Sequence, residues 1–204
     1  MYKTEQENFW AGDFGDKYIG RNNDQKVLSM KIGVLAQIFH RGGYIGSCLE
    51  FGSNIGLNLR ALGLLIPGIK MEAVEINEKA ANECAKIPDV KVHNTSILEF
   101  DTDKKFDLTF TSGVLIHINP DELQTVYKKL YDYSQRYVMV SEYYNPTPVE
   151  VNYRGNKGRL FKRDFAGEMM DMFPDLHLVD YGFIYHRDWR FPEDDSTWFL
   201  MEKR

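Results

Sequence analysis

Eight residues, Leu49-Glu50-Phe51-Gly52-Ser53-Asn54-Ile55-Gly56, carry an apolar run into an acid and then into a glycine turn. Glu75 follows 23 positions after Gly52 and closes a second apolar run, in Ala73-Val74-Glu75-Ile76-Asn77. This order predicts a strand, a tight loop, a helix and a second strand, the unit that cradles an adenosine-containing cofactor. Glycine lets the backbone approach a ligand, and the helix N-terminus offers unpaired N–H donors. A carboxylate at the tip of the second strand can accept both hydroxyls of a ribose.

The alternation continues along the chain. Leu28, Ile32, Leu35 and Phe39 share one face of a helix predicted over 24–39, opened near Asn23 or Asp24. Strands are predicted over 45–51, 69–76, 90–93, 106–111 and 136–143. Helices over 55–66 and 77–87 end at Pro67-Gly68 and Pro88. Asn119-Pro120-Asp121-Glu122 reads as another helix start, with Asn119 as cap, Pro120 in the first position and Glu122 completing a capping box. Asn145-Pro146-Thr147-Pro148 opens a long polar loop through Arg163. A helix over 164–173 follows, then two strands near 176–186 and 197–203. Alternating strands and helices imply an α/β fold with a mostly parallel sheet covered on both faces. The last two strands have no helix between them and should pair antiparallel. Ligands of such sheets bind beyond the carboxyl ends of the strands. The positions to watch are therefore 52–56, 75–77, 94–97, 111–117 and 142–145.

Glycine spacing discriminates between cofactors. A dinucleotide loop needs glycine at the first, third and sixth positions, which here hold Gly52, Asn54 and Leu57. Glycine falls instead at Gly56, and first-third-fifth spacing resembles the first motif of seven-stranded S-adenosylmethionine-dependent methyltransferases. Asn54 stands where that motif has its middle glycine. Asparagine enters positive φ more readily than other side chains, so the departure is tolerable. In such enzymes an acid at Glu50 supports the loop or meets the amino-acid part of the cofactor; otherwise it is a solvated strand-end acid. The resemblance further implies adenine held after the third strand, at Ser96 and Ile97 in Asn94-Thr95-Ser96-Ile97, with Ile76 and Ser112 completing the cofactor set.

Longer blocks resemble the pseudaminic acid biosynthesis-associated methylases, a subfamily of class I methyltransferases. They are Glu7 to Tyr18 with Arg21-Asn22, Gly113 to Asp121, Glu142 to Pro148, Tyr153-Arg154-Gly155 and Leu160 to Phe165. The resemblance covers nearly the whole chain. It implies a seven-stranded Rossmann-like methyltransferase sheet, mostly parallel with its last strand antiparallel, in one domain over 1–204. Residues 1–40 would form an N-terminal lid and helix, 41–143 the cofactor half, and 144–204 an acceptor-binding loop with the last strands. It implies methyl transfer from S-adenosylmethionine, without fixing the acceptor.

Trp10, Phe14 and Tyr18 recur every four residues, as on one helical face that either closes over a cofactor or caps the core. Tyr18, Arg21 and Asn22 are the polar members most able to contact a cofactor carboxylate or the acceptor, and arginine suits bidentate carboxylate binding. Methyl transfer needs a positioned nucleophile and, for a protonated one, a base. His117, in Val114-Leu115-Ile116-His117-Ile118, and Glu142, at the end of the fifth strand, are the candidate catalytic residues. Either could equally be structural, a buried imidazole or a loop-anchoring carboxylate. Tyr143, Tyr144 and Asn145 could face an acceptor. Arg154 and Arg163 bracket a basic stretch that could hold a carboxylate or phosphate, as of an acidic or nucleotide-linked sugar.

A net charge of −5 gives no general attraction to nucleic acid or to an anionic membrane. Cys48 and Cys84 have no metal-type spacing, and no metal site is expected. Lys3, Glu5, Glu7, Asp13, Asp16 and Lys17 break up residues 1–20, so no signal peptide is expected and the chain should be cytoplasmic. Three alternatives stay open: another alkyl displacement such as cyclisation, a cofactor-binding module without turnover, and an NAD-dependent enzyme, which the glycine spacing disfavours.

Overall fold

The computed structural model describes residues 2–20 and 25–204. The expected helix start at Asn23 or Asp24, and the candidates Arg21 and Asn22, lie outside the described residues.

The chain opens with two short helices, α1 (Glu5–Ala11) and α2 (Asp13–Ile19), broken at Gly12. A capping box starts α1: the Thr4 hydroxyl accepts from the Glu7 N–H, and Glu7 Oε2 accepts from the Thr4 N–H at 2.7 Å. Helix α3 (Gln25–Phe39) leads into β1 (Ser47–Phe51), α4 (Leu57–Leu65), β2 (Lys70–Glu75), α5 (Glu78–Cys84), β3 (Val90–Asn94) and β4 (Phe106–Ser112). A 3-10 turn at Leu115–His117 follows, and then a second at Pro120–Glu122. After these come α6 (Leu123–Tyr133), β5 (Ser134–Glu142), β6 (Val149–Tyr153), β7 (Asn156–Lys162), α7 (Phe165–Met172), β8 (Leu176–Ile184) and β9 (Ser196–Lys203).

Seven strands make one sheet in the order β3-β2-β1-β4-β5-β9-β8. Pairings from β3 to β5 are parallel, while β9 runs antiparallel to both of its neighbours. This is the seven-stranded Rossmann-like sheet, mostly parallel with its last strand antiparallel, that the sequence implied. Side-chain alternation along β1 and β5 splits the core in two. Leu49, Phe51, Val138 and Val140 pack with Val126 and Leu130 of α6 on one face. Cys48, Tyr137 and Met139 pack with Leu35 and Ile38 of α3 on the other. Among the described residues, no helix is long and apolar enough to cross a membrane.

Two expectations need correction. The stretch after Pro148 is not an irregular loop: β6 and β7 form an antiparallel hairpin. Its turn residues, Arg154 and Gly155, have φ of 51° and 85°. Glu122 does not close a capping box on Asn119; its carboxylate pairs with Lys3 at 2.7 Å, and α6 begins only at Leu123. Asn119 still caps, accepting from the Asp121 N–H.

Candidate functional site

A cavity of about 670 Å³ opens at the carboxyl ends of β1, β2, β4 and β5, within the usual range of small-molecule sites, about 300–1,000 Å³. Its floor is the glycine loop. Gly52 has φ of 71°, Asn54 49° and Gly56 78°, so three left-handed residues turn the chain from β1 into α4. Asn54 thus adopts the conformation its side chain tolerates. Gly52 also keeps clear of Val114, whose Cγ2 would stand 2.5 Å from an added Cβ. Gly56 does not line the cavity; it serves packing, since a Cβ there would meet Ile87 and Cys84.

Glu75 ends β2 fully inside the protein. Its Oε2 accepts from the Asn54 N–H at 2.7 Å and its Oε1 from the Asn77 N–H at 2.8 Å. The carboxylate therefore fixes the glycine loop, with the Ile76 N–H as a further donor, and retains some acceptor capacity. Burial raises its pKa, and the backbone donors pull it back down. Glu50, at the end of β1, is more extreme. Oε1 accepts from Asn58 at 2.7 Å, while Oε2 is buried with no partner. Burial pushes its carboxyl up to about 8.

Orphaned polar atoms converge here. Among the described residues, Gln6 Oε1, Trp10 Nε1, Glu50 Oε2 and Glu193 Oε1 are buried and unpartnered. Gln6, Trp10 and Glu193 line the cavity, and Glu50 bonds to the liner Asn58. Unpaired buried polar groups are costly, about 1–3 kcal/mol each, so their concentration at one cavity marks a place built for a polar ligand.

The N-terminal helices roof this cavity. Trp10 packs edge-on against Phe14 and Tyr18 and lies 4.6 Å from the His117 ring; Tyr153 of the hairpin lies 4.9 Å from the same ring. Ser96 donates its hydroxyl to Glu7 Oε1, and Asn77 and Lys79 both hold Asp16. Sequence reasoning assigned Glu7 no role, although Thr4-x-x-Glu7 has the spacing of a capping box. Asp16 and Lys31 carried no assignment either, because each acts through a distant partner, and position 77 was marked only as a strand-end position.

His117 lines the cavity and is 8% exposed. Its Nδ1 lies 2.6 Å from the Arg159 carbonyl, which can only accept. Nδ1 therefore carries the proton and Nε2 keeps the lone pair. Burial depresses its pKa to about 4 against the pull of that carbonyl, so the imidazole is neutral at physiological pH.

Tyr18, Ile76, Ser96, Ile97, Ser112 and Arg154 also line the cavity, as does Tyr143, whose hydroxyl donates to Asp194 at 2.8 Å. Glu142, Arg163, Tyr144 and Asn145 do not line the cavity. Glu142 is 2% exposed and engaged with the end of β4 and the loop after it. Its Oε1 accepts from the Thr111 hydroxyl at 2.8 Å and from the N–H groups of Val114 and Leu115 at 3.0 and 3.1 Å. That geometry is an anchor, not a base facing substrate. Arg163 is paired with Glu168 at 2.7 Å. Tyr144 is 42% exposed and packs near Phe199, and the Asn145 side chain bonds Thr147. Among the described residues no cluster of histidine, cysteine or acidic side chains could hold a metal ion.

No protein-family model and no curated protein sequence matches this chain. Solved structures do share the fold. The S-adenosylhomocysteine-bound magnesium protoporphyrin IX methyltransferase of Synechocystis PCC 6803 superposes with a TM-score of 0.69 at 12% identity, covering 97% of each chain. The 1,6-didemethyltoxoflavin-N1-methyltransferase of Burkholderia thailandensis, with bound 1,6-didemethyltoxoflavin and S-adenosylhomocysteine, gives 0.70 at 14% identity over 97% of this chain and 86% of its own. The plantazolicin methyltransferase BpumL, with a pentazolic desmethylPZN analog and S-adenosylhomocysteine, gives 0.65 at 12% identity over 97% and 95%.

Proposed function

We propose that the chain is an S-adenosylmethionine-dependent methyltransferase of small molecules. It would work in the cytoplasm, where its free, buried Cys48 and Cys84 stay reduced. The observation that carries the reading is the pair of strand-end carboxylates flanking the glycine loop. Glu75 keeps acceptor capacity for a ribose hydroxyl, and Glu50 Oε2 is a buried oxygen without a partner, where an incoming ammonium would favour the ionised carboxylate over the proton that burial otherwise retains. The three solved methyltransferases named above support it at the level of fold.

Bound there, S-adenosylmethionine supplies an activated methyl on a sulfonium. The protein's part is to bind, orient and exclude water. Ser96 and Ile97 sit where adenine is expected, and Trp10, Phe14 and Tyr153 shield the roof. His117 offers Nε2 as a neutral acceptor for a proton from the attacking group. Tyr143 and Arg154 border the acceptor side. Arg154 supports an anionic acceptor, such as the acidic or nucleotide-linked sugar that the likeness to pseudaminic acid biosynthesis-associated methylases suggests. Arg163, already paired, adds nothing to that argument.

Calorimetry with S-adenosylhomocysteine and NAD tests the reading. Wild type should bind the former and not the latter. Glu75→Ala, losing two charge-assisted hydrogen bonds of about 1.5–3 kcal/mol each, should bind about 100-fold more weakly or worse. Binding of NAD instead, or undiminished binding by the variant, refutes it.

A further inference from the structure

Lys31, on the cavity side of α3, forms an ion pair that looks structural until its partner is inspected. Its ammonium lies 3.0 Å from Glu193 Oε2, in the connection between β8 and β9. The two side chains are only 20% and 12% exposed, and both line the cavity. Yet Glu193 Oε1 is buried with no partner. The Lys31 charge also acts on Glu50, whose Oε2 is unpartnered too. One ammonium is thus ion-paired to Glu193 and exerts its charge on Glu50, and each of those carboxyl groups has an unsatisfied buried oxygen.

A resident ion pair holds its worth when the remaining lone pairs are satisfied, and this one leaves them bare. An amino-acid group carries an ammonium and a carboxylate on one carbon. Its ammonium would satisfy Glu50, and its carboxylate would need a cation next door. Among the described residues lining the cavity, only Lys31 and Arg154 carry a permanent positive charge, and Arg154 lies in the hairpin turn over the Tyr153 ring. We propose that Lys31 is the counter-charge for the carboxylate at the amino-acid end of the cofactor, and that Glu193 holds it only until that carboxylate displaces it. This rests on the methyltransferase reading of the cavity. The exchange is one carboxylate for another, so Lys31 never loses its counter-charge, while Glu193 is repelled and released toward water. His186 and Asp194 belong to the same connection and also line the cavity, and Asp194 holds Tyr143. Loading the cofactor is thereby communicated to the acceptor side.

The test compares two ligands by calorimetry on the full chain: S-adenosylhomocysteine and 5′-methylthioadenosine, a related nucleoside thioether without the amino-acid end. Lys31→Met should weaken the first about tenfold or more, the scale of a charge-assisted hydrogen bond, and shift the second less than about threefold. Glu193→Gln removes the competitor and should strengthen the first without changing the second. In wild type, amide exchange over 185–195 should rise with S-adenosylhomocysteine but not with 5′-methylthioadenosine. Equal effects of Lys31→Met on both ligands, weaker binding by Glu193→Gln, or slower exchange in that segment overturns the proposal. If wild type binds neither ligand, the cofactor reading falls with it. If wild type binds both and Lys31→Met does not distinguish them, only the Lys31 assignment falls. Circular dichroism of each variant checks that the fold is kept, with Lys31→Gln as the second substitution.

Discussion

Replacing Glu142 with glutamine should do little harm, and replacing it with alanine should do a great deal. The three short hydrogen bonds to this side chain all end on one oxygen, Oε1: from Thr111 at 2.8 Å, Val114 at 3.0 Å and Leu115 at 3.1 Å. Only the long contact from the Ile116 N–H, at 3.4 Å, reaches Oε2. A glutamine can put its carbonyl at Oε1 and keep all three acceptor contacts, while shedding a buried charge. We expect Glu142→Gln to lie within about 1 kcal/mol of wild type at neutral pH, and Glu142→Ala to lose roughly 3–5 kcal/mol through three stranded donors and a void. For a chain of this size that corresponds to a fall in melting temperature of roughly 6–20 °C.

The pH dependence sharpens the test. Burial raises the Glu142 carboxyl from an ordinary 4.5 to about 7, against the lowering effect of its donors. Between those values the folded state holds a proton that the unfolded state has released. Stability from this group is therefore full below 4.5 and is lost as pH rises through 7. Glu142→Gln carries no such titration, so relative to wild type it should gain roughly 2–3 kcal/mol between pH 5 and pH 8. Thermal melts by circular dichroism at both pH values measure this. A glutamine variant as damaged as the alanine one, or a difference that ignores pH, refutes the anchoring argument. So does a glutamine variant that melts like wild type but loses turnover more than about 100-fold, since that is the signature of a base.

Two further outcomes follow from geometry already described. Gly56→Ala, at φ of 78° with the new methyl 2.4 Å from Ile87 Cδ1, should cost roughly 2–5 kcal/mol in urea denaturation, and a loss below about 1 kcal/mol contradicts the packing role. His117 is held neutral, with its pKa lowered from 6.5 to about 4. Its contribution is full above pH 6.5 and lost as pH falls through 4, so wild type should lose roughly 3 kcal/mol relative to His117→Gln between pH 7 and pH 4, and parallel acid profiles would show the ring to be solvated.

The first five strands were legible in the sequence because their signals are local. Apolar runs, proline stops and glycine spacing placed β1 through β5 and the loops that follow them, and Asn54 took the positive φ that its position demanded. The hairpin was not legible. Its turn is Arg154-Gly155 rather than asparagine or aspartate followed by glycine, and the alternation of Val149, Val151 and Tyr153 is short and follows two prolines. The spacing of Trp10, Phe14 and Tyr18 pointed to a closing or capping segment, but the long-range tethers escaped for a different reason. Ser96 with Glu7, Asn77 with Asp16 and Lys31 with Glu193 join residues 89, 61 and 162 positions apart, and no spacing rule reaches that far. Arg163 misled because a cation next to a motif carries no sign of its partner, and Glu168 neutralises it from the following helix.

The strand order sets a schedule for assembly. β8 touches the sheet only through β9, which lies between it and β5 although it comes later in the chain. On the ribosome, the parallel strands from β3 to β5 and the glycine loop can form while β8 waits unpaired and the far edge of β5 stays bare. That interval is when an unfinished chain is most prone to pair with another. Emergence of residues 196–203 closes it, docking β9 and β8 together.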